Sequence, residues 1–270
     1  MATFDPSVIT NVPVMPLNDA LAGRLAGVQV LSGSGQPGTE AGLFIRGNTS
    51  LSLTNTPLYV IDGLPLENFY TGALNSMDIK SVSILKDANA AIYGARGSNG
   101  VVLIETKKGR SKQASVEYNA YAGVNATMKN IEMMSPYEFV KYQTELQPTA
   151  ATNFYLTNPG VNLNHYQGQN GIDWQKQVNT NGLIQSHQLA LSGISAQTNY
   201  YISTSIFNQN GGLKNTGNSR YQGRLGLQQA INKKVKVAIN ANYSINEDKG
   251  QLVAKPQADT VAYATYQMYN

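Results

Sequence analysis

Few residues in this chain have the type and spacing that chemistry needs. His165 and His187 are the only histidines, and there is no cysteine. Neither histidine has a carboxylate or thiol at metal-ligand spacing, so no metal site is expected. Two glycine-rich runs have the composition of phosphate cradles: SGSGQPG at 32–38 and GARGSNG at 94–100. The first lacks the closing Gly-Lys-Ser/Thr of a nucleotide loop. The second has the wrong spacing for a dinucleotide fingerprint and leads into a strand, not a helix. There is no HExxH helix and no GxSxG elbow. The 16 acidic residues are dispersed, so no glycosidase pair can be assigned. Catalytic, cofactor-binding and metal-binding residues are therefore all expected to be absent, and the chain is read as a non-enzyme. Aromatic contact is what is left. Tyr137, Tyr142, Phe154, Tyr155, Tyr166 and Trp174 fall in one polar stretch, 127–183. Aromatic faces suit sugar rings and equally suit ordinary loop packing. Tyr155, Tyr166 and Trp174 are the substrate-facing candidates.

The elements that would position these residues change character near residue 112. Before it, short β-branched runs at 82–85 and 101–104 read as buried strands. Between them, 88–95 reads as a short helix with Asp87 as N-cap, and Gly94, Gly97 and Gly100 punctuate the return. Asn18 can cap a helix running to Ala26, with Leu17, Leu21 and Leu25 on one face. Strands are expected at 43–46 and at 58–62, the latter ending in a Gly63 turn. Residues 1–112 thus form a small α/β domain.

Residues 113–270 alternate instead. Val116, Tyr118, Ala120, Ala122 and Val124 share one face of 115–125. Leu189 and Leu191 share a face of 186–193, and Tyr200, Ile202 and Ile206 a face of 199–208. Leu225 and Leu227 do so in 221–231, as do Val237, Ile239, Ala241, Tyr243 and Ile245 in 234–245. A sixth segment begins near Thr260. Connections alternate short (193–198, 232–233) and longer (127–183, 209–219). Such period-two segments suit a transmembrane barrel and equally a soluble antiparallel sandwich. A short amphipathic helix is expected at 133–147, starting at Ser135 with Pro136 as its first residue.

Composition narrows the choice. The chain has 270 residues, 16 Tyr, 25 Gly and 13% charged residues, with a mean hydropathy of −0.28. No apolar run reaches the roughly 18 residues of a membrane helix. The net charge of +4 raises nucleic-acid binding as an option. However, the densest basic patch, Lys107, Lys108, Arg110 and Lys112, has no interleaved aromatics and reads as a solvated turn. No nucleic-acid partner is expected. The first residues, MATFDPSVITNVPV, lack a basic segment followed by an apolar one, so they do not read as a secretory signal.

Several runs in order resemble the TonB-dependent outer-membrane transporters, and within them the SusC-like (RagA-type) branch. LNDALAGRLAGVQV (17–30) resembles the opening of the plug domain. SGSGQPG followed by LFIRGNTSL (43–51) and NTPLYVIDGLPL (55–66) resembles its middle. LNSMDIKSVSILKDANAAIYGARGSNGVVLIETKKG (74–109) resembles its closing segment. GIDWQKQV, SHQLALSG and NYYISTSIFNQNGGLKNTGNSRY resemble the first barrel strands. The resemblance implies an α/β plug at 1–112 and about five to six strands of a transmembrane β-barrel at 113–270, the barrel being incomplete here. It implies import of oligosaccharides (glycans) or peptides across the outer membrane of a Gram-negative bacterium. TonB with ExbB and ExbD would drive it, and a SusD-like surface lipoprotein would be the partner. The plug-motif and gating positions it implies are Arg46, Gly47, Asp62, Gly63, Lys86, Asp87, Tyr93, Gly94, Arg96, Gly97, Asn99 and Gly100. Arg46, Arg96, Asp62 and Asp87 would form ion pairs that force can rearrange. Nothing in the chain resembles the TonB-contact box. A barrel around a folded plug needs about 22 strands, so the expectation is the front portion of a longer transporter. The alternatives are a siderophore or vitamin receptor, and a truncated or structural surface β-protein.

Overall fold

Strongly β-branched sequence builds the first sheet. In the computed structural model, which describes residues 2–4, 16–31, 35–45, 47, 55–67, 69–86, 89–126, 130–232, 234–250 and 265–269, strands β1 (Ala2–Phe4), β2 (Val28–Leu31), β3 (Gly42–Ile45), β4 (Leu58–Ile61), β5 (Leu64–Leu66), β6 (Ile79–Leu85) and β7 (Val101–Thr106) come first. Five of them pair in the order β1-β6-β7-β4-β5. β4 and β7 are parallel, and the other neighbours are antiparallel. β2 and β3 form a separate antiparallel pair. Every residue of β4 is buried, as suits a central strand covered on both faces. One face packs Ile61, Val82, Ile84, Val102 and Ile104 against Leu17, Leu21, Leu43 and Ile45. The other packs Val60, Leu85 and Val101 with Ala90 and Tyr93.

Two expected helices are shorter than the sequence suggests. The first is one α-turn, α1 (Leu17–Ala20), with Pro16 at its N-cap. Gly23 and Gly27, at φ 68° and 71°, turn the chain where the helix was expected to continue. Asn18 is not the cap. It is buried, donates to the Ala41 carbonyl at 2.9 Å, and accepts the Tyr59 hydroxyl at 2.9 Å. It thus pins α1 to the sheet. The second is a 3-10 stretch, Ala91–Gly97, broken at Gly94 (φ 62°, ψ −148°). Asp87 and Ala88 lie outside the described residues, as does Arg46.

The second sheet is an antiparallel meander of six strands: β8 (Ser115–Asn125), β9 (Gly182–Ile194), β10 (Thr198–Asn210), β11 (Gly217–Ala230), β12 (Lys236–Lys249) and β13 (Thr265–Tyr269). The strands run longer than their apolar alternation. The connection at 211–216 is therefore six residues, close to the five of 231–235, and the expected contrast of lengths is weak there.

Burial on this sheet is inverted. Val116, Tyr118 and Val124 are 62–69% exposed, and Leu189, Leu191, Ile202, Ile206 and Leu225 also face outward. The opposite face buries Ser186, Gln188, Ser203, Ser205, Asn218, Arg220, Arg224 and Ser244. A soluble sandwich would bury the apolar face. An apolar exterior over a polar interior is the pattern of a membrane barrel wall.

The chain divides into two compact units. Residues 126–181 with 212–214 form the smaller one. It holds α2 (Pro136–Leu146), α3 (Pro148–Tyr155) and α4 (Trp174–Val178). α2 begins as expected: Ser135 accepts the Glu138 amide at 3.2 Å, and Glu138 accepts the Ser135 amide at 2.8 Å, with Pro136 in the first turn.

Candidate functional site

The buried polar face of the wall sheet has to be satisfied by something, and the α/β part satisfies it. Asp78 ends a one-turn 3-10 segment, Ser76–Asp78, whose N-cap Asn75 accepts the Met77 amide. That turn delivers a carboxylate to two wall strands. Asp78 Oδ1 accepts Gln188 Nε2 of β9 at 2.7 Å and the Tyr201 hydroxyl of β10 at 2.8 Å. Its Oδ2 accepts the Ser203 hydroxyl at 2.8 Å. A third strand takes the backbone: Arg224 Nη1 of β11 donates to the Asp78 carbonyl at 3.2 Å. Asp78 is 4% exposed. Burial raises its pKa, against the opposing pull of the Ser203 and Tyr201 hydrogen bonds and the Arg224 and Lys107 charges.

Arg224 joins this point to the end of β4. Its Nη2 donates to the Thr106 hydroxyl and lies 3.7 Å from Asp62 Oδ2. Asp62 Oδ1 accepts the Thr106 amide at 2.9 Å, and Oδ2 accepts the Thr106 hydroxyl. The guanidinium also stands over the Tyr201 ring, 5.4 Å from its centroid.

Arg220, four residues earlier on the same face, does the parallel job higher on the strand. Its Nη1 donates to the Gly72 carbonyl at 3.2 Å, beside Gln222 Nε2 at 2.8 Å, and it caps the Phe207 ring at 5.1 Å. Glu40 completes this point by accepting the Thr71 hydroxyl at 2.6 Å and the Gly72 amide at 2.9 Å. Burial raises its pKa, with those bonds and the Arg220 charge opposing. The neighbouring Tyr70 phenol is pushed up to about 12, chiefly by burial. A third contact is a reciprocal pair between Gly109 and the Asn199 side chain, at 2.8 and 3.1 Å. Nε of both arginines has no hydrogen-bond partner among the described residues. The network is therefore not saturated.

The expected site residues divide into two groups. Asp62 lies in the network, at φ 50°, with Gly63 at φ 90° behind it. Arg46 and Asp87 lie outside the described residues, and none of the bonds given above involves the others. Arg96 pairs with Glu67 at 3.1 Å, both well exposed. Lys86 donates to the Ala26 carbonyl. Tyr93 packs on the smaller core. Gly47, Gly94 and Gly100 have positive φ. At Gly100 a Cβ would also meet Ile45 at 2.7 Å, and at Gly97 it would meet the Ala90 carbonyl at 2.5 Å. Asn99 sits in the turn before Gly100. In the smaller unit, Tyr155 packs edge-on to Phe139 and Phe154, and Tyr166 donates to its carbonyl at 2.9 Å. Trp174 stands apart, 67% exposed at the start of α4.

Sequence reading missed Asp78, Glu40, Arg220 and Gln188. One signal was available. Arg220 and Arg224 are same-face cations in a strand whose other inward residues are uncharged, and buried cations demand carboxylates.

Comparison with known proteins places this arrangement. Residues 1–101 match the family model described as TonB-dependent Receptor Plug Domain. TonB-dependent receptor P26 of Formosa agariphila is 35% identical over 264 residues, which is 96% of this chain and 26% of the relative. TonB-dependent receptor SusC of Bacteroides thetaiotaomicron is 34% identical over 235 residues, 83% of this chain and 22% of the relative. The chain thus spans about a quarter of the length of these curated relatives. Among solved structures, the RagAB peptide importer in its closed-closed state superposes with a TM-score of 0.79 at 29% identity, covering 95% of this chain and 32% of that one. The α/β part is therefore a plug and the meander a partial barrel wall, and the chain belongs to the SusC-like, RagA-type TonB-dependent receptors.

Proposed function

We propose that this chain supplies the plug (1–112) and part of the barrel wall (113–270) of an outer-membrane importer of oligosaccharides or peptides. One observation carries the reading: the wall exposes its apolar face and buries its polar face on the plug, with Asp78 bonded to strands β9 and β10. A wall of this kind is stable in lipid, and a plug held by polar bonds can be released by force without tearing an apolar core. TonB, with ExbB and ExbD, would supply that force from the periplasm. A SusD-like lipoprotein would cover the outer mouth. Asp62 and its Arg224 contact belong to the gate. Gly47, Gly63, Gly94, Gly97 and Gly100 shape the plug's turns, with Arg46, Lys86, Asp87, Tyr93, Arg96 and Asn99 as further plug-motif positions. Tyr155, Tyr166 and Trp174 would meet substrate from the long loop. The plug exit, at 107–114, marks the periplasmic end of the wall. The SusC and RagAB likenesses support this reading over a siderophore or vitamin receptor. The Asp78 network supports it over a purely structural surface protein.

The test is uptake by cells carrying the complete receptor, supplied in turn with labelled oligosaccharides and labelled oligopeptides, with and without a protonophore. Energy-dependent accumulation of one class assigns the substrate. No energy-dependent uptake of either class refutes the proposal.

A further inference from the structure

The wall's two ends differ in charge. β8 begins, β9 ends, β10 begins, β11 ends and β12 begins at the same end of the sheet, as the antiparallel registers require. At that end, residues 107–114 (KKGRSKQA) carry four cations and no acid, and 231–236 (INKKVK) three more and no acid. The opposite end of β12 carries Glu247 and Asp248 beside Lys249.

Both basic segments are held in place. Ile194 donates its amide to the Ser111 carbonyl at 2.7 Å, and Gly109 is clasped by Asn199, so 107–113 is strapped across the ends of β9 and β10. Asn232 Oδ1 accepts the Lys234 and Val235 amides, both at 2.8 Å, which fixes the second turn. Arg110, Lys112 and Lys234 are exposed and form no ion pair among the described residues, whereas Lys236, paired with Ala230, belongs to the inward face. The outward apolar face reaches this rim. Val116, Ile231, Val235 and Val237 are 42–69% exposed. β8 and β12 are four strand spacings apart, about 19 Å along the rim.

We infer that this rim is a binding surface for anionic phospholipid headgroups of the leaflet that covers the lower end of the wall. The assignment rests on the membrane-wall reading above. The leaflet that meets Val116 and Val237 must set its headgroups at the level of the segments just beyond them, which carry Arg110, Lys112 and Lys234 with no ion pair among the described residues. Clustered cations beside an apolar surface favour anionic over zwitterionic headgroups, and salt weakens the preference. On this assignment the basic patch beside the plug exit belongs to the membrane interface.

The test uses the complete receptor reconstituted into bilayer nanodiscs of phosphatidylethanolamine and phosphatidylglycerol, with the co-purifying lipid read by native mass spectrometry. The parent should retain phosphatidylglycerol at least tenfold over its share of the mixture. The variant Arg110→Gln, Lys112→Gln, Lys234→Gln should fall to parity. The variant Lys112→Arg, Lys234→Arg, which keeps the charge, should retain the preference. A parent with no preference, or a neutralised variant that keeps it, overturns the proposal. So does a parent that holds a polyglutamate peptide but shows no lipid preference, which would assign the rim to an acidic protein. Failure of the parent to insert into either lipid would overturn the wall reading itself. Insertion without preference overturns only the rim.

Discussion

Asp78→Ala should loosen the plug. The substitution removes three accepted hydrogen bonds and leaves Gln188 Nε2, the Tyr201 hydroxyl and the Ser203 hydroxyl facing an apolar methyl. Hydrogen bonds to an ionised group contribute roughly 1.5–3 kcal/mol each. Part of that is returned, because the carboxylate no longer has to be desolvated. Removing one member of a buried charged cluster costs about 3–5 kcal/mol, and the low end applies here because two of the three stranded donors are hydroxyls that can rotate. About 3 kcal/mol corresponds to roughly a hundredfold in an opening equilibrium. The chain has no cysteine, so one introduced thiol is a unique reporter. Ser83, buried in β6, is suited to it. In the membrane-inserted receptor carrying Ser83→Cys, maleimide labelling follows the fraction of time β6 is exposed when closing is fast. Adding Asp78→Ala should speed labelling by about a hundredfold. Tyr201→Phe, which removes one of these bonds at the low end of that range, about 1.5 kcal/mol, should speed it by about tenfold. If Asp78→Ala labels within threefold of its parent, Asp78 does not hold the plug and the reasoning is wrong.

Three further outcomes follow from local geometry. Burial raises the pKa of Asp78 above 3.8 and that of Glu40 above 4.5. The folded plug therefore binds protons that the unfolded chain releases. This stabilisation is complete below the unfolded values and is lost as pH rises through the folded ones. The calorimetric midpoint of plug unfolding should fall from pH 4 toward neutrality, with a shallower slope in Asp78→Asn; equal slopes would contradict the assignment. Gly94→Ala places a side chain at φ 62°, ψ −148°, a region almost reserved for glycine, and should cost about 1–3 kcal/mol, visible as a lower midpoint in the same scan. Ser135→Ala removes one side of the α2 capping box and should cost about 1 kcal/mol. Limited proteolysis within 130–160 should then run several times faster, with the wall unaffected.

Local structure was legible where one local force decides it. The β-branched runs of β4, β6 and β7 are strands because their side chains are buried on both faces. Ser135 and Glu138 cap α2 because their spacing lets each reach the other's amide. The helix expected at 18–26 ends at Ala20 because Gly23, at φ 68°, turns the chain before leucine periodicity can carry it further. Asn18 was read as a cap because asparagine usually is one. Its actual partners, Ala41 and Tyr59, lie 23 and 41 residues away, beyond the reach of any local rule.

The contact between plug and wall was harder to read for a related reason. Alternation tells which residues share a face but not which face is buried, and the sign reverses between a sandwich and a barrel wall. With the wrong sign, Gln188, Ser203 and Arg224 are solvated and carry no information. With the right one, they are buried polar groups that must find partners on whatever the wall encloses. Arg220 and Arg224 then make the strongest demand, since an uncompensated buried guanidinium would be costly. The plug meets it at Glu40, Asp62 and Asp78, three carboxylates scattered over 39 residues of sequence with no shared motif. Asp62 and Asp78 stand in runs that resemble the family, but nothing in those runs marks Asp78 as a wall contact. The motif residues shape the plug, whereas the residues that hold it to the wall are set by where β11 places its arginines. A search for the plug–wall contact in other chains of this kind should therefore start from cations on the inward face of the wall and look for carboxylates on the plug.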